Sequence, residues 1–416
     1  MVLNLFTEPD FKDSIWCVQY LRAIKDEATM KHYAVNPIEC KSLYDVNWDQ
    51  VYRDDPRRRL LIYIGTSAEA VGSLNGFLTE KRIHPIFINY YSADGFTELY
   101  ENYSNIITDY SASMRCILRH LFACGRTDIA LYGINPNSAT DIKKESKFED
   151  YIRTAAPAGA KHGVYRNCAC LDACYADFRR DLRSYNAVIC ANDIAAISLL
   201  ENLKRDNVSV PDDLFMVSFG NTALTKVSYP SITTSSTNMA EFGRQAVRLY
   251  SFLSKSDSDI SVTVRIPSTL SVRESTGIAG AQTSGGRDPF YGKAQSRTAP
   301  LSASMHTEHS EMTYFQSELP YFHNEKFFRD PKVNVLLRTE NLLGSLVDTD
   351  ADILDGLMNG EPILQMADRL YTSQQAIAYR LKRMCRIAEV KDVSALLSFL
   401  SEYYQNGESR LKSIFE

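Results

Sequence analysis

Short apolar runs alternate with amphipathic segments through the first 276 residues, and this alternation restricts the fold more than any other feature. The apolar runs fall at 60–65, 85–90, 129–133, 187–190 and 215–219, each followed by a helical pattern. Strands that are apolar on both faces belong to parallel sheets covered by helices on either side. The sequence therefore predicts an α/β fold built on parallel sheets.

Residues directly after the predicted strands are the candidates for a binding site. In open parallel sheets, ligands bind beyond the carboxyl ends of the strands. This rule selects a set of ligand-binding candidates: Thr7, Phe11, Thr66, Asn89, Asp109, Asn137, Asn192, Asp193 and Asn221. Asn192 and Asp193 fit helix capping as well as cleft lining. Phe11 fits a core position equally well, and Trp16 fits a core position better.

Five motifs, in order and at consistent spacing, carry a resemblance to a known family. They lie at 187–196 (AVICANDIAA), 210–221 (VPDDLFMVSFGN), 230–234, 239–244 and 272–276. Together they resemble the effector-binding domain of the lactose-repressor (LacI/GalR) family, whose fold is that of periplasmic sugar-binding proteins. The resemblance implies a two-lobed domain at 1–276 that closes on a small molecule by a hinge motion. The implied effector is a sugar or another polar metabolite.

The same resemblance implies how the chain divides between the lobes. The N-lobe would comprise about 1–123 and 237–256, and the C-lobe about 124–236 and 257–276. Crossings between lobes would fall near Cys124, near Ser236 and after Ser256. Family members normally begin with a helix-turn-helix, whereas this chain starts at the first strand of the effector domain. We therefore expect the usual N-terminal DNA reader to be absent.

Two positions depart from the pattern of sugar-binding family members. The position that usually holds an arginine is Ile142, and the position that usually holds an aspartate is Gly220. Both lost groups are suited to hold sugar hydroxyls. Lys143, Asn221 or Thr222 are possible substitutes; otherwise the ligand is not an ordinary sugar, or the pocket is vestigial.

The C-terminal residues 348–404 read as short helices separated by tight breaks. Thr349 with Asp352, Gly360, Pro362 and Ser373 provide start and stop signals. The segments 353–360, 363–370 and 373–384 resemble a LuxR-type helix-turn-helix, although the usual lysine and histidine are Ala378 and Arg380. This resemblance implies a DNA-binding domain. The alternative is a small helical bundle that mediates dimerisation or contact with another protein.

Under the DNA-binding interpretation, the third helix carries the contacts. Its predicted base-edge residues are Gln374, Gln375 and Tyr379, because glutamine pairs bidentately with adenine. The predicted phosphate contacts are Thr372, Ser373, Arg380, Lys382, Arg383 and Arg386. One such unit has a small footprint, so a homodimer on two operator half-sites is expected.

Between these two domains the composition changes. Residues 277–311 are rich in Gly, Ala, Ser and Thr and read as a flexible linker. Residues 312–347 comprise an aromatic segment, expected to dock on a domain or a second subunit, and a helix from 333 to 346 that leads into the C-terminal domain.

Several classes of protein are disfavoured. The sequence contains no recognisable arrangement of catalytic residues and no cofactor motif. The spacing of Cys168, Cys170 and Cys174 matches no established zinc-ligand pattern, so free thiols are predicted there. No apolar run approaches the length of a membrane span. The net charge of −5 limits any DNA binding to a local basic patch. The sequence predicts a cytoplasmic, ligand-responsive transcriptional regulator; the alternative is a sensor whose helical tail contacts another protein.

Overall fold

Two six-stranded sheets form the framework of the computed structural model. It describes residues 1–9, 11–12, 14–40, 43–53, 59–65, 68–89, 103–256, 260–277, 327, 330–405 and 408–415. The predicted linker and most of the aromatic segment lie outside the described residues, as does Thr66. Among the described helices, none is both long and apolar enough to cross a membrane.

The first lobe is an all-parallel sheet. Its strands are β1 (Val2–Thr7), β2 (Ala34–Ile38), β3 (Arg59–Ile64), β4 (Ile83–Ile88), β5 (Ser104–Thr108) and β11 (Thr263–Ile266), in the order β11-β5-β4-β3-β1-β2. Its helices are α1 (Ile15–Met30), α2 (Trp48–Val51), α3 (Ala68–Glu80) and α9 (Met239–Lys255). The central strand β3 is buried from Leu60 onwards because α1 and α9 cover one face and α2 and α3 the other.

The second lobe repeats this plan with one antiparallel strand. Its strands are β6 (Ile129–Ile134), β7 (His162–Arg166), β8 (Ala187–Cys190), β9 (Phe215–Phe219), β10 (Thr233–Thr237) and β12 (Ser268–Ser271), in the order β12-β10-β9-β8-β6-β7. Only the β10–β12 pair is antiparallel among these described neighbours. Its helices are α4 (Tyr110–Ala123), α5 (Ala139–Ala155), α6 (Leu171–Asp181), α7 (Asp193–Arg205) and α8 (Ala223–Val227).

The predicted α/β class with two parallel-dominant lobes is confirmed, and the second crossing lies close to Ser236 as expected, but the first and third crossings fall elsewhere. The chain crosses at Asp109, at Asn238 and at Pro267. Helix α4 packs on the second sheet, so the first crossing precedes this helix instead of following it near Cys124. Strand β11 pairs with β5, so the third crossing comes after β11. The expected lobe boundaries are corrected accordingly, because an amphipathic pattern does not say which lobe supplies the partner.

A C-terminal unit, residues 330–405 and 408–415, is mostly helical. It contains α10 (Pro331–Leu343), α11 (Asp348–Met358), α12 (Ile363–Arg369), α13 (Gln374–Ile387) and α14 (Val393–Leu400), then the two short strands β13 (Tyr404–Gln405) and β14 (Glu408–Ser409). Helix α10 begins at Pro331 and not at 333, because Asp330 accepts a hydrogen bond from the Lys332 amide and caps it.

The predicted breaks within this unit are mostly found. Ser373 Oγ accepts a hydrogen bond from the Ala376 amide at 3.1 Å, as expected for the cap of α13. Gly360 has φ +74°, a left-handed conformation that glycine adopts without strain at a helix end. The predicted Thr349 cap is wrong: α11 starts at Asp348, and Asp350 accepts from the Val347 amide instead.

Candidate functional site

A cleft lies between the carboxyl ends of the two sheets. The first lobe contributes Ile88, Asn89 and Thr108, and the second lobe contributes Asn192 and Phe219. It holds about 1040 Å³ of space free of protein atoms, open mouth included, which suits a small molecule. The cleft therefore occupies the position that strand order predicts for a ligand site.

Three of the sequence-predicted ligand residues line this cleft: Phe11, Asn89 and Asn192. Asn192 also accepts a hydrogen bond from the Ala195 amide at 2.9 Å, so capping and lining occur together. Asn89 has φ +50° and accepts from the Thr108 amide at 2.6 Å, which fixes its side chain at the end of β4. Phe11 is also part of the apolar core of the first lobe.

The other described candidates are not among the residues that line the cleft. These are Thr7, Asp109, Asn137, Lys143, Asp193 and Asn221. Asp109 caps α4 by accepting from the Ala112 amide at 2.9 Å. Asn221 accepts from the guanidinium of Arg273. The side chains of Asp109 and Asn221 thus have partners inside the protein, and the role of all six residues as ligand contacts remains a prediction.

Asp193 accepts hydrogen bonds from strand β9, from the turn that follows it and from strand β10. Its carboxylate accepts from Ser218 Oγ, from the Thr222 amide at 2.7 Å and from Thr234 Oγ1 at 3.3 Å, and the side chain is completely buried. Burial raises the pKa of this carboxyl. A Cβ at Gly220, which has φ +139°, would lie 2.6 Å from Asp193 Oδ2. Glycine at the position where an aspartate was expected thus leaves room for the Asp193 side chain and its hydrogen bonds.

A cation that the sequence reasoning missed stands in the cleft wall. Lys144 Nζ donates to Asp141 Oδ1 at 2.8 Å and to the Ala191 carbonyl at 2.7 Å, and both Lys144 and Asp141 line the cleft. The ammonium also lies 5.0 Å from the Tyr110 ring centroid, within the range of a cation–π contact. Lys143 precedes it by one residue, which on a helix turns the side chain through about 100° to another face.

Aromatic side chains supply much of the rest of the cleft wall. Trp16, Tyr20, Tyr110, Phe219 and Phe327 all line it. Burial raises the pKa of both tyrosines, so their hydroxyls remain protonated hydrogen-bonding groups. Tyr20 accepts a hydrogen bond from Asn89. The sequence feature that could have placed Trp16 at the cleft is Ser14. Its hydroxyl oxygen accepts a hydrogen bond from the Cys17 amide, which positions the first turn of α1 beside the cleft.

A second candidate surface is the open face of α13. Ile377, Leu381 and Met384 form its buried stripe, as predicted. The exposed residues on and next to the helix include most of the predicted DNA contacts, namely Ser373, Gln374, Gln375, Tyr379, Lys382 and Arg386, while Thr372 is half-buried. Helices α12 and α13 contact one another across a brief turn, and such a contact is one that the predicted helix-turn-helix requires.

Two of the predicted phosphate contacts have partners inside the C-terminal unit. Arg380 Nη1 lies 2.9 Å from Asp350 Oδ1, and Arg383 Nη2 lies 2.6 Å from Asp350 Oδ2. The Asp350 side chain has no exposed surface, whereas each arginine side chain is 35% exposed. These pairs hold α13 against α11, so the two arginines have a structural role beside any contact with DNA.

The fold and the cleft define a class: a two-lobed α/β domain of the periplasmic-binding-protein-like fold, joined to a helical C-terminal unit. Residues 118–276 match the family model of the periplasmic binding protein-like domain. The relatives support a LacI-like effector-binding domain, as the motifs predicted, and those reported below carry the names of transcriptional regulators.

Three relatives illustrate the likeness in sequence. NTD biosynthesis operon regulator NtdR of Bacillus subtilis is 30% identical over 22% of this chain and 28% of its own length. HTH-type transcriptional regulator reg1 of Streptomyces lividans is 28% identical over 34% of this chain and 43% of its own length. HTH-type transcriptional repressor CytR of Escherichia coli is 38% identical over 15% and 18%. The matched segments thus span less than half the length of each relative.

Solved structures share the two-lobed fold. A LacI family transcriptional regulator from Enterococcus faecium with bound ribose matches with TM-score 0.52 and 17% identity over 67% of this chain and 99% of its own. The CelR–cellobiose complex matches with TM-score 0.53 and 15% identity over 66% and 84%. The lac repressor dimer bound to operator matches with TM-score 0.52 and 16% identity over 67% and 82%.

Proposed function

We propose that this protein is a ligand-responsive DNA-binding transcriptional regulator. A small molecule, a sugar or another polar metabolite, binds between the lobes, and the C-terminal helix-turn-helix reads an operator. The observation that carries the proposal is the open face of α13, which presents Gln374, Gln375, Tyr379, Lys382 and Arg386 beside a brief turn. Glutamine and arginine at the start and on one face of such a helix suit base edges and phosphates.

The proposed partners follow from this surface and from the cleft. A single α12–α13 pair has a small footprint, so a homodimer on two half-sites is proposed. The cleft combines aromatic faces with amide and hydroxyl groups, which suits a ring with hydrogen-bonding edges. The described cysteines form no disulfide bonds with one another, which fits the reducing cytoplasm proposed for this regulator.

Salt-dependent binding to DNA tests the proposal. The full chain is used to select duplexes from a random pool, and affinity for the selected duplex is measured across salt concentrations. Replacing Lys382 and Arg386 with Ala should weaken binding to every duplex and reduce the salt slope by about 2, one for each phosphate contact. Ribose or cellobiose in the same titrations shows whether a sugar changes the affinity.

The matched control removes two cations from another exposed helix face: Arg22 and Lys25, both exposed on α1, are changed to Ala. This control keeps the net charge of the variant but should leave the salt slope unchanged. Absence of salt-sensitive binding to any duplex would contradict the DNA-binding function.

A second candidate function is a sensor whose C-terminal unit mediates dimerisation or contact with another protein instead of DNA binding. Apolar side chains stand out from the α12–α13 pair: Tyr371 is 98% exposed and Leu364 is 57% exposed. Exposed apolar groups of this size are characteristic of protein contacts. A regulator that fails to bind DNA but self-associates through Leu364 and Tyr371 would support this second function.

A further inference from the structure

Helix α10 contacts elements of both lobes as well as the helix-turn-helix. It packs against α1 of the first lobe, against α7 and α8 of the second lobe, and against α13 within its own unit. Ile15, from the first turn of α1, belongs to the same apolar cluster as Val333 and Leu336 of α10. Any hinge rotation of the first lobe against the second must therefore change the surroundings of α10.

The contact of α10 with the second lobe is polar and directional. Glu340 Oε1 accepts from the Ala223 amide at 3.0 Å, and Oε2 accepts from the Leu224 amide at 2.9 Å. These amides open α8, which follows Gly220 of the cleft wall by only a few residues. The ammonium of Lys332 adds ion pairs with Asp172 and Glu201 at 3.5 and 3.3 Å. These interactions fix α10 on the second lobe.

The contact with the first lobe is apolar and reaches into the cleft. Trp16 of α1 lines the cleft and also packs on the cluster that contains Val333. Phe327, which precedes α10, also lines the cleft and packs on the same cluster. Its carbonyl accepts a hydrogen bond from the Asp330 amide at 3.4 Å. An aromatic ring from outside both lobes is thus part of the cleft wall.

We propose that Phe327 and α10 form a strap that links the state of the cleft to the position of the C-terminal unit. Phe327 is a ligand-site residue that neither lobe supplies, and α10 is held on the second lobe while the first lobe moves against it. Closure around a ligand then makes or breaks the α1–α10 contact, and the two events share one equilibrium. The regulatory meaning of the strap rests on the proposed function, whereas the linkage itself does not.

Fluorine NMR on the full chain labelled with 5-fluorotryptophan tests this linkage without DNA or ligand. The chain has two tryptophans: Trp16 at the cleft, and Trp48 buried in a separate core of the first lobe. The Glu340→Gln substitution weakens the hydrogen bonds between α10 and α8. Trp16 lies in α1, so the substitution does not alter α1 itself. The expected result is a shifted or split Trp16 resonance with an unchanged Trp48 resonance.

Two further variants complete the test. Phe327→Ala should also shift the Trp16 resonance, because it removes part of the same wall. Glu361→Gln breaks an ion pair with Arg369 inside the C-terminal unit and should leave both resonances in place. A Trp16 resonance that stays unchanged in folded Glu340→Gln would overturn the strap. If it shifts in a protein that binds no DNA, the strap holds and only the DNA-binding function fails.

Discussion

At the scale of single residues, buried carboxyl groups organise the second lobe and its junction with the C-terminal unit. Asp193, which follows β8, is hydrogen-bonded to β9, to the turn after β9 and to β10, and Glu340 accepts hydrogen bonds from the first turn of α8. The sequence indicated Asp193 through its motif but gave no indication of Glu340. A lone Glu in an amphipathic helix is ordinarily a solvated residue, and only the packing of α10 on α8 buries it.

Glu340 gives a pH dependence with a definite sign. Burial raises its pKa from 4.5 to about 7. Between these pH values the folded state keeps a proton on Glu340 that the unfolded state releases. The stabilisation that comes from binding this proton is complete below pH 4.5 and is lost as the pH rises towards 7. The loss is on the order of 3 kcal/mol, at about 1.4 kcal/mol per unit of pKa.

Urea unfolding of the parent and of Glu340→Gln across this window measures the effect. The variant should lack this part of the pH dependence, because its side chain does not titrate. Parallel curves for the two proteins would show that folding does not change the pKa of Glu340.

The sequence also did not predict which lysine lies in the wall of the cleft. The sequence offered Lys143, beside Asn221 and Thr222, as a substitute for the missing groups, whereas Lys144 lies in the cleft wall. Neighbouring positions on a helix differ by about 100° in direction, and the sequence places the start of α5 too loosely to choose between them. The ion pair with Asp141 decides which ammonium faces inwards.

At the scale of secondary structure elements, α13 has two faces with different tasks. Its period of apolar residues predicted the buried stripe, and its cap at Ser373 was predicted as well. The sequence did not separate Arg380 and Arg383 from the exposed basic residues Lys382 and Arg386. The separation depends on Asp350, thirty-odd residues earlier, which is completely buried beneath the two arginines.

The two faces of α13 respond differently to substitution. Arg383→Ala should lower the free energy of unfolding by about 1 to 3 kcal/mol, the range for losing a hydrogen bond to a charged group. Lys382→Ala, on the exposed face, should change it by less than about 0.5 kcal/mol. Urea unfolding monitored by circular dichroism measures both. Equal effects from the two variants would show that the pair with Asp350 contributes nothing.

At the scale of the whole molecule, the second lobe and the C-terminal unit share one apolar core. A single cluster contains Leu199 of α7 and Leu224 of α8 together with Leu336 of α10 and Met384 of α13. The sequence indicated separate domains joined by a linker, because local patterns do not record which surfaces meet. The shared core means that the two parts should unfold together.

Arg410 fastens the end of the C-terminal unit to this lobe. It donates to both Glu274 oxygens and to the Ser228 carbonyl, and its guanidinium carbon lies 3.8 Å from the Tyr229 ring centroid. Arg410→Ala should lower the melting temperature and remove about 2 to 3 kcal/mol of stability, because these bonds are charge-assisted.

Calorimetry of the full chain measures this change, with Arg369→Ala as the control. Arg369 pairs with Glu361 inside the unit and is 44% exposed, so its loss should cost less than about 1 kcal/mol. A parent protein that melts in two separate steps, with Arg410→Ala affecting neither, would contradict a shared core.

The sequence by itself determined the alternation of strands and helices, the position of the cleft at the strand ends and the buried stripe of α13. Each of these follows from a local period or a local cap that short-range sterics and hydrogen bonding enforce. Only the tertiary structure decided that α4 belongs to the second lobe, that Lys144 faces the cleft and that α10 grips both lobes. Those outcomes depend on which complementary surfaces pack together, and residues far apart in the chain settle that jointly.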